Sequence, residues 1–205
     1  MRAVLSRPQV GGRGGPLAGE LILASASPRR RAILTQLGVP FRAVAVEVDE
    51  VEEGDPEQVA RGNAVRKARA AVGGAGPADT VLGADTVVAL DGRILPKPRD
   101  CEQARAWLRS LSGREHLVVS GICLLTAGAQ RDAASATRVR FRPLTEAEIE
   151  WYLGTGEWRD KAGGYAIQGR GAALVAAISG DYWTVVGLPV PTLLELLGRG
   201  FLAGS

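Results

Sequence analysis

The chain has a single histidine, His116, and two cysteines, Cys101 and Cys123, with no Cys-x-x-Cys pair. A Cys/His zinc site is therefore not expected. Two cysteines build no disulfide framework and point to a reducing cytoplasm. Ser–His–Asp catalysis would have to use His116, beside Glu115 in an expected helix-to-strand turn, and no G-x-S-x-G is present. His116 is read as structural. No apolar run approaches the roughly 18 residues of a membrane span. The opening MRAVLSRPQVGGRGGPLAGE has no signal-peptide apolar stretch, so no membrane partner is expected. The phosphate-cradling G-x-x-x-x-G-K-[ST] is missing, and so is the full dinucleotide fingerprint. The tryptophans are scattered and form no stacking series for single-stranded nucleic acid.

Lysine is also scarce: 22 arginines stand against three lysines, Lys67, Lys97 and Lys161. A compact ammonium and a planar guanidinium are not equivalent. In a chain that uses arginine so widely, each surviving lysine is a candidate functional position. Arg2, Arg7 and Arg13 account for the whole net charge of +3, because residues 20–205 carry equal numbers of acids and bases. The folded body is thus neutral, which argues against a general nucleic-acid binder. Residues 1–19, rich in Gly and Pro, read as a flexible leader; residues 20–205 read as one domain.

Within that domain strands alternate with helices. ELILAS reads as a strand, and Ser27-Pro28 as a helix start that Gly38 terminates. FRAVAVEV reads as a second strand, followed by an acidic stretch and a helix from Asp55-Pro56. TVLGADTVVAL is an apolar strand broken in the middle by Asp85-Thr86, and Asp91-Gly92 signals a hairpin. A third helix, EQARAWLRSLSG, precedes two paired strands around Gly128. Thr145 and Glu148 predict a capping box. A Gly-rich segment, DKAGGYAIQGRGAALVAAISGDY, leads to a last helix. This pattern predicts an α/β fold with a mixed sheet flanked by helices.

Four groups of residues carry chemistry. Ser25, Ser27, Arg29 and Arg30 lie where a strand runs into a helix N-terminus, and free backbone N–H groups there favour an anion such as phosphate. Asp85-Thr86 sits among Val81, Leu82, Val87 and Val88. A carboxylate there is costly unless paired or liganded, which suits a general base or a metal ligand. Mg²⁺ takes one or two carboxylates plus phosphate oxygens. Pro96 and Pro98 stiffen the backbone around Lys97. Glycines around Lys161 and Gln168 let backbone approach a ligand closely.

Taken together, LASASPRR, EVDE, the Lys67-Ala68 pair, GADTVV, ILPKPRD, LRSLSG, DKAGGYAIQGRGA and GDYWTVVGLP resemble the Maf family of nucleoside triphosphate pyrophosphatases. The resemblance runs from about Leu21 to Leu197. It implies a fold similar to that of the inosine triphosphate pyrophosphatases. It also implies hydrolysis of a nucleoside triphosphate to monophosphate and pyrophosphate, with a divalent metal, Mg²⁺ or Mn²⁺. Asp85, Lys97 and Lys67 match the family's catalytic positions; Glu47, Glu50 and Asp85 are the implied metal carboxylates. Ser25, Ser27, Arg30 and Lys161 are expected on phosphate. Arg29, Thr86 and Gln168 match the branch acting on dTTP and UTP, not the 7-methyl-GTP branch, which has Trp, Gln and Glu there. Pro96, Gly164 and Ser120 depart from the usual residues. The expected role is house-cleaning of nucleotide pools in the cytoplasm. The alternative is a nucleotide-sensing regulator of septum formation. A homodimer is left open.

Overall fold

The computed structural model describes residues 17–198. Most of the expected leader lies outside the described residues. Of its last residues, Leu17 is half-buried against the cluster that contains Leu21 and Leu34.

A seven-stranded mixed sheet organises the fold. The first strand, β1 (Leu21–Ala24), is fully buried and leads into α1 (Pro28–Gln36). The edge strand β2 (Phe41–Val44) follows, then an irregular acidic loop and α2 (Pro56–Ala71), capped by Asp55. β3 (Thr80–Leu90) turns through Asp91-Gly92, both at positive φ, into β4 (Arg93–Leu95), as the hairpin signal predicts. After α3 (Cys101–Leu111) come β5 (Glu115–Thr126) and β6 (Ala129–Phe141), the longest strands of the sheet. α4 (Glu146–Gly154) carries the complete capping box. The order across the sheet is β2-β1-β3-β5-β6-β7, with β4 paired to β3 off that path.

Four sequence readings need correction. FRAVAVEV stays regular only through Val44, where the chain leaves the sheet edge for the acidic loop. Asp85-Thr86 does not break β3; its ladder to β5 runs unbroken from Val81 to Ala89. His116 lies inside β5 rather than in a turn. The Gly-rich tail holds a strand, β7 (Val175–Ser179), and is followed by a short helix, α5 (Tyr182–Val186), before α6 (Val190–Leu197). Five residues are too few to show helical periodicity, although Asp181 caps α5 by accepting from the Trp183 and Thr184 amides.

The two faces of β3 explain how it carries two polar residues in an apolar run. Odd-numbered residues face α2, and even-numbered residues face the opposite side. On the α2 side, a Cβ placed on Gly83 would lie 2.1 Å from the Ala64 carbonyl oxygen, and one on Gly121 of β5 would lie 2.3 Å from that of Ala60. Alanines 60, 64 and 68 form the buried stripe of α2 that accepts this close approach. Helix and sheet backbones therefore nearly touch, and longer side chains on α2 reach into the sheet. On the other face, Leu82 and Ala84 belong to a cluster with α1 and α6, while Val88 and Leu90 belong to one with α3 and α4. Thr86 falls at the seam between these clusters.

One edge of β3 also changes neighbour at this point. β1 pairs with Thr80–Gly83 in parallel, and β4 pairs with Val88–Leu90 antiparallel. Residues 84–87 have no strand partner on that edge among the described residues. A split of this kind beside the carboxyl end of a parallel strand opens a crevice in an α/β sheet. Asp85 and Thr86 stand in it.

Candidate active site

The crevice is a cavity of about 500 Å³, within the usual range for small-molecule sites. Its walls come from the β1–α1 turn, the acidic loop, the middle of β3, the Lys97 turn, the Gly-rich loop at 160–168 and the end of α5. Lys67 of α2 and Val118 of β5 complete the wall.

On the α2 side lies a carboxylate–lysine centre. Asp85 is buried, and its Oδ1 accepts from Lys67 Nζ at 2.6 Å. Its Oδ2 accepts from Asn63 Nδ2 at 3.1 Å. Lys67 Nζ also stands 2.8 Å from Glu50 Oε1. Lys97 Nζ reaches Glu50 from the cavity mouth at 3.3 Å. Two carboxylates and two ammonium groups thus balance in charge. Burial raises the Glu50 pKa, but the hydrogen bond and charge of Lys67, then Lys97, outweigh it and hold the carboxyl below its ordinary value. Asn63 and Lys67 are i and i+4 on α2, so one helical face supplies both donors to Asp85.

Across the seam lies a cationic wall. Arg30 is buried, and its guanidinium is spread over three neutral acceptors: the Gly187 carbonyl at 2.8 Å, Ser25 Oγ at 3.1 Å and Thr86 Oγ1 at 3.2 Å. It makes no salt bridge among the described residues. Burial lowers its pKa and the charge of Asp85 raises it, yet a guanidinium stays charged. Ser120 donates to the Thr184 carbonyl at 2.8 Å, so in the Thr86–Ser120 pair the Thr86 hydroxyl is the donor. Thr86 therefore orients Arg30, and its hydroxyl is committed on both sides.

The start of α1 faces the same cavity. Ser27 occupies the N-cap position but makes no side-chain capping bond, and Pro28 has no N–H to offer. The following amides, on Arg29 and Arg30, stand at the positive end of the helix. Arg29 and Lys161 line the cavity close to one another; burial lowers both pKa values, and the Arg29 charge lowers that of Lys161 further. Asp160, beside Lys161, holds a positive φ of 57°.

The structure gathers most of the expected site residues into this cavity. Asp85, Lys67, Lys97, Glu50, Ser25, Ser27, Arg30 and Lys161 line it, and so do Arg29, Thr86 and Gln168. Glu47 does not: it is exposed, three residues upstream of Glu50 on the irregular loop, and outside the cavity wall. Among the described residues no group of three His, Cys, Asp or Glu side chains is placed to hold a metal, so the Glu47–Glu50–Asp85 triad is not assembled. Sequence reasoning missed Asn63, Ser120 and the Gly187 carbonyl. Asn63 had a signal, its spacing of one helical turn from Lys67; a backbone carbonyl has none. His116 is buried in an aromatic cluster with Phe141 and Tyr165, away from the carboxylates.

The fold and this constellation define an α/β protein with a cavity built to receive an anionic ligand between lysines, arginines and paired carboxylates. Its family follows from comparison: residues 20–200 match the Maf-like protein family, and the chain belongs to it. A dTTP/UTP pyrophosphatase of Symbiobacterium thermophilum is 49% identical over 180 residues, which is 87% of this chain and 92% of that protein. A protein of the same name from Pyrococcus furiosus is 46% identical over 183 residues, 88% of this chain and 95% of the relative. One from Thermus thermophilus is 49% identical over 185 residues, again 88% and 95%. Among solved structures, the Staphylococcus aureus Ham1 protein is similar at a TM-score of 0.42 and 17% identity, over 60% of this chain and 72% of that one. That likeness is too slight to build on; the mixed α/β class stands on the strand order itself. Among the described residues no helix is long and apolar enough to cross a membrane.

Proposed function

We propose that this chain is a nucleoside triphosphate pyrophosphatase that hydrolyses dTTP and UTP to the monophosphate and pyrophosphate, acting on free nucleotides in the cytoplasm. The observation that carries the reading is the pairing of two opposed walls in one cavity: a buried guanidinium, Arg30, with no carboxylate partner among the described residues, faces the Asp85–Lys67–Glu50 centre. A buried cation without a counter-charge is costly, and a triphosphate supplies the missing charge.

The triphosphate lies between the uncapped start of α1, Arg30 and Lys161 on one side and Lys67 and Lys97 on the other. These groups neutralise charge on the transferring phosphoryl group and on the leaving pyrophosphate. Water attacks the α-phosphorus, and the bond to the bridging oxygen of the β-phosphate breaks. The Asp85–Glu50 pair orients that water and takes its proton. Arg29 and Gln168 line the cavity from the α1 and Gly-rich sides respectively, where the base is read. Thr86 contributes through Arg30.

A divalent cation fits this donor set. Asp85 and Glu50 both approach a single ammonium, so their oxygens converge, and two carboxylates plus phosphate oxygens suit Mg²⁺ or Mn²⁺. Such an ion, when bound, supplies further neutralisation of phosphate charge. Glu47 is not in position to join it.

The test is turnover of UTP, dTTP, ITP and 7-methyl-GTP with the purified chain and with Asp85→Asn. The wild type should favour UTP and dTTP, and the variant should lose about 100-fold or more in kcat while staying folded. A preference for ITP refutes the substrate class. An Asp85→Asn enzyme that keeps a tenth of the activity removes Asp85 from the chemistry.

A further inference from the structure

We infer that Asn63 is the residue that positions both carboxylates of the centre, Asp85 directly and Glu50 through the backbone of Val51. The inference rests on the reading of Asp85, Glu50 and Lys67 as the reacting centre. Asn63 is 1% exposed and spends its whole hydrogen-bonding capacity at one junction. Its Nδ2 donates to Asp85 Oδ2 at 3.1 Å and to the Val51 carbonyl at 3.0 Å. Its Oδ1 accepts from the Val51 amide at 2.9 Å and from Arg66 at 3.1 Å. Two donors and two lone pairs are therefore all used. The amide orientation is set by these partners, because the reverse placement would turn its oxygen toward a carboxylate and a carbonyl.

Each bond has a consequence for the site. Asp85 Oδ1 is held by Lys67, so a rotation of the carboxylate is stopped only by a second donor on Oδ2, and Asn63 is that donor. Being neutral, it fixes Asp85 without disturbing the charge balance of Glu50, Lys67 and Lys97. The acidic loop at 45–55 has no regular structure; Val46 packs on the core at its start, but Val51 is 38% exposed, so burial does not anchor the backbone there. The two-point clamp on Val51 therefore fixes the backbone next to Glu50. The close packing of α2 at Gly83 and Gly121 makes this reach possible for a side chain as short as asparagine.

The experiment compares Asn63→Leu and Asn63→Ala with wild type in the full chain, by steady-state UTP hydrolysis and by amide hydrogen exchange. Leucine removes every polar bond at similar volume. Alanine removes the same bonds without adding charge or bulk. Both variants should lose at least about tenfold in kcat with KM within about threefold, since the phosphate-facing cations are untouched. Exchange around Val51 should rise in Asn63→Leu while β3 and β5 stay protected; a purely structural role would loosen the core with it. If Asn63→Leu fails to fold, Asn63→Ala carries both tests. A kcat within about threefold of wild type in a folded variant overturns the proposal, and so does unchanged exchange at Val51. If instead Asp85→Asn retains activity, the reading of the centre falls; an inactive Asp85→Asn beside active Asn63 variants refutes the positioning role alone.

Discussion

Protonating His116 should destabilise the fold in a pH range where most carboxylates are still ionised. The imidazole is 3% exposed inside β5, edge-on to Phe141 and Tyr165 at 5.0 and 5.4 Å. Its Nε2 is 2.7 Å from the Tyr165 hydroxyl, and its buried Nδ1 has no partner. An imidazolium would place a charge and an unanswered N–H in that cluster, so burial lowers the pKa from 6.5 to about 4. The unfolded chain then binds the proton first. The stabilisation from a neutral His116 is complete above pH 6.5 and is lost as pH falls toward 4. Integrating the linkage relation over that shift gives about 2 kcal/mol lost at pH 5 and about 3 kcal/mol at the acid limit. Urea unfolding at pH 8, 6.5 and 5 measures it. For a chain of this size, a loss of about 2 kcal/mol moves the midpoint by about 1 M. Other groups titrate in the same range, so the quantity to read is the difference between wild type and His116→Phe, which keeps the aromatic packing and cannot be protonated. That difference should shrink, or reverse in favour of the variant, by about 2 kcal/mol between pH 8 and 5. A difference independent of pH refutes the argument.

The packing of α2 on the sheet gives a second expectation. Gly121→Val puts a side chain where a Cβ already meets the Ala60 carbonyl at 2.3 Å, so Tm should fall by about 5 °C or more, and UTP turnover should fall with it as Lys67 and Asn63 withdraw from Asp85. An unchanged melting curve would show that α2 accommodates the change. Arg30→Lys keeps the charge but replaces the planar fork that spans Gly187, Ser25 and Thr86 with a point donor; kcat/KM for UTP should fall by about tenfold or more, and wild-type kinetics would deny Arg30 its role. Base preference is tested by Arg29→Trp, Thr86→Gln and Gln168→Glu together. The ratio of kcat/KM for UTP to that for 7-methyl-GTP should fall, and a ratio that does not move in the folded triple variant removes these positions from base selection.

The parts of the fold legible in sequence were those with local causes. Asp55-Pro56 and the Thr145–Glu148 box start helices by satisfying orphan amides within three residues, and Asp91-Gly92 closes a hairpin on its own φ values. β7 and α5 escaped because both are short and glycines flank them at 171, 180 and 187. Asp85-Thr86 looked like a strand break because single-sequence reasoning assumes one environment per strand. β3 has two: its odd face meets a helix carrying Lys67 and Asn63, and its even face meets the seam that Arg30 fills. Neither can be seen without knowing that β1 and β4 share one edge of β3 and part company at residues 84–87.

The same distinction separates what was read of the site from what was not. Lys67, Lys97 and Asp85 stood out because each is chemically conspicuous, a charge in an apolar strand or a lysine in an arginine-rich chain, and Arg30 because it stands at a helix start. Glu47 and Glu50 look alike in sequence, and what separates them is register. The loop after β2 turns Glu50 onto Lys67 and leaves Glu47 exposed, and the bonds of Asn63 to Val51 support that register beside Glu50's own pairing with Lys67 and Lys97. A site assembled from loop backbone therefore depends on uncharged residues such as Asn63, Ser120 and the two glycines beneath α2. None of these attracts attention by charge, yet each governs whether the conspicuous groups meet.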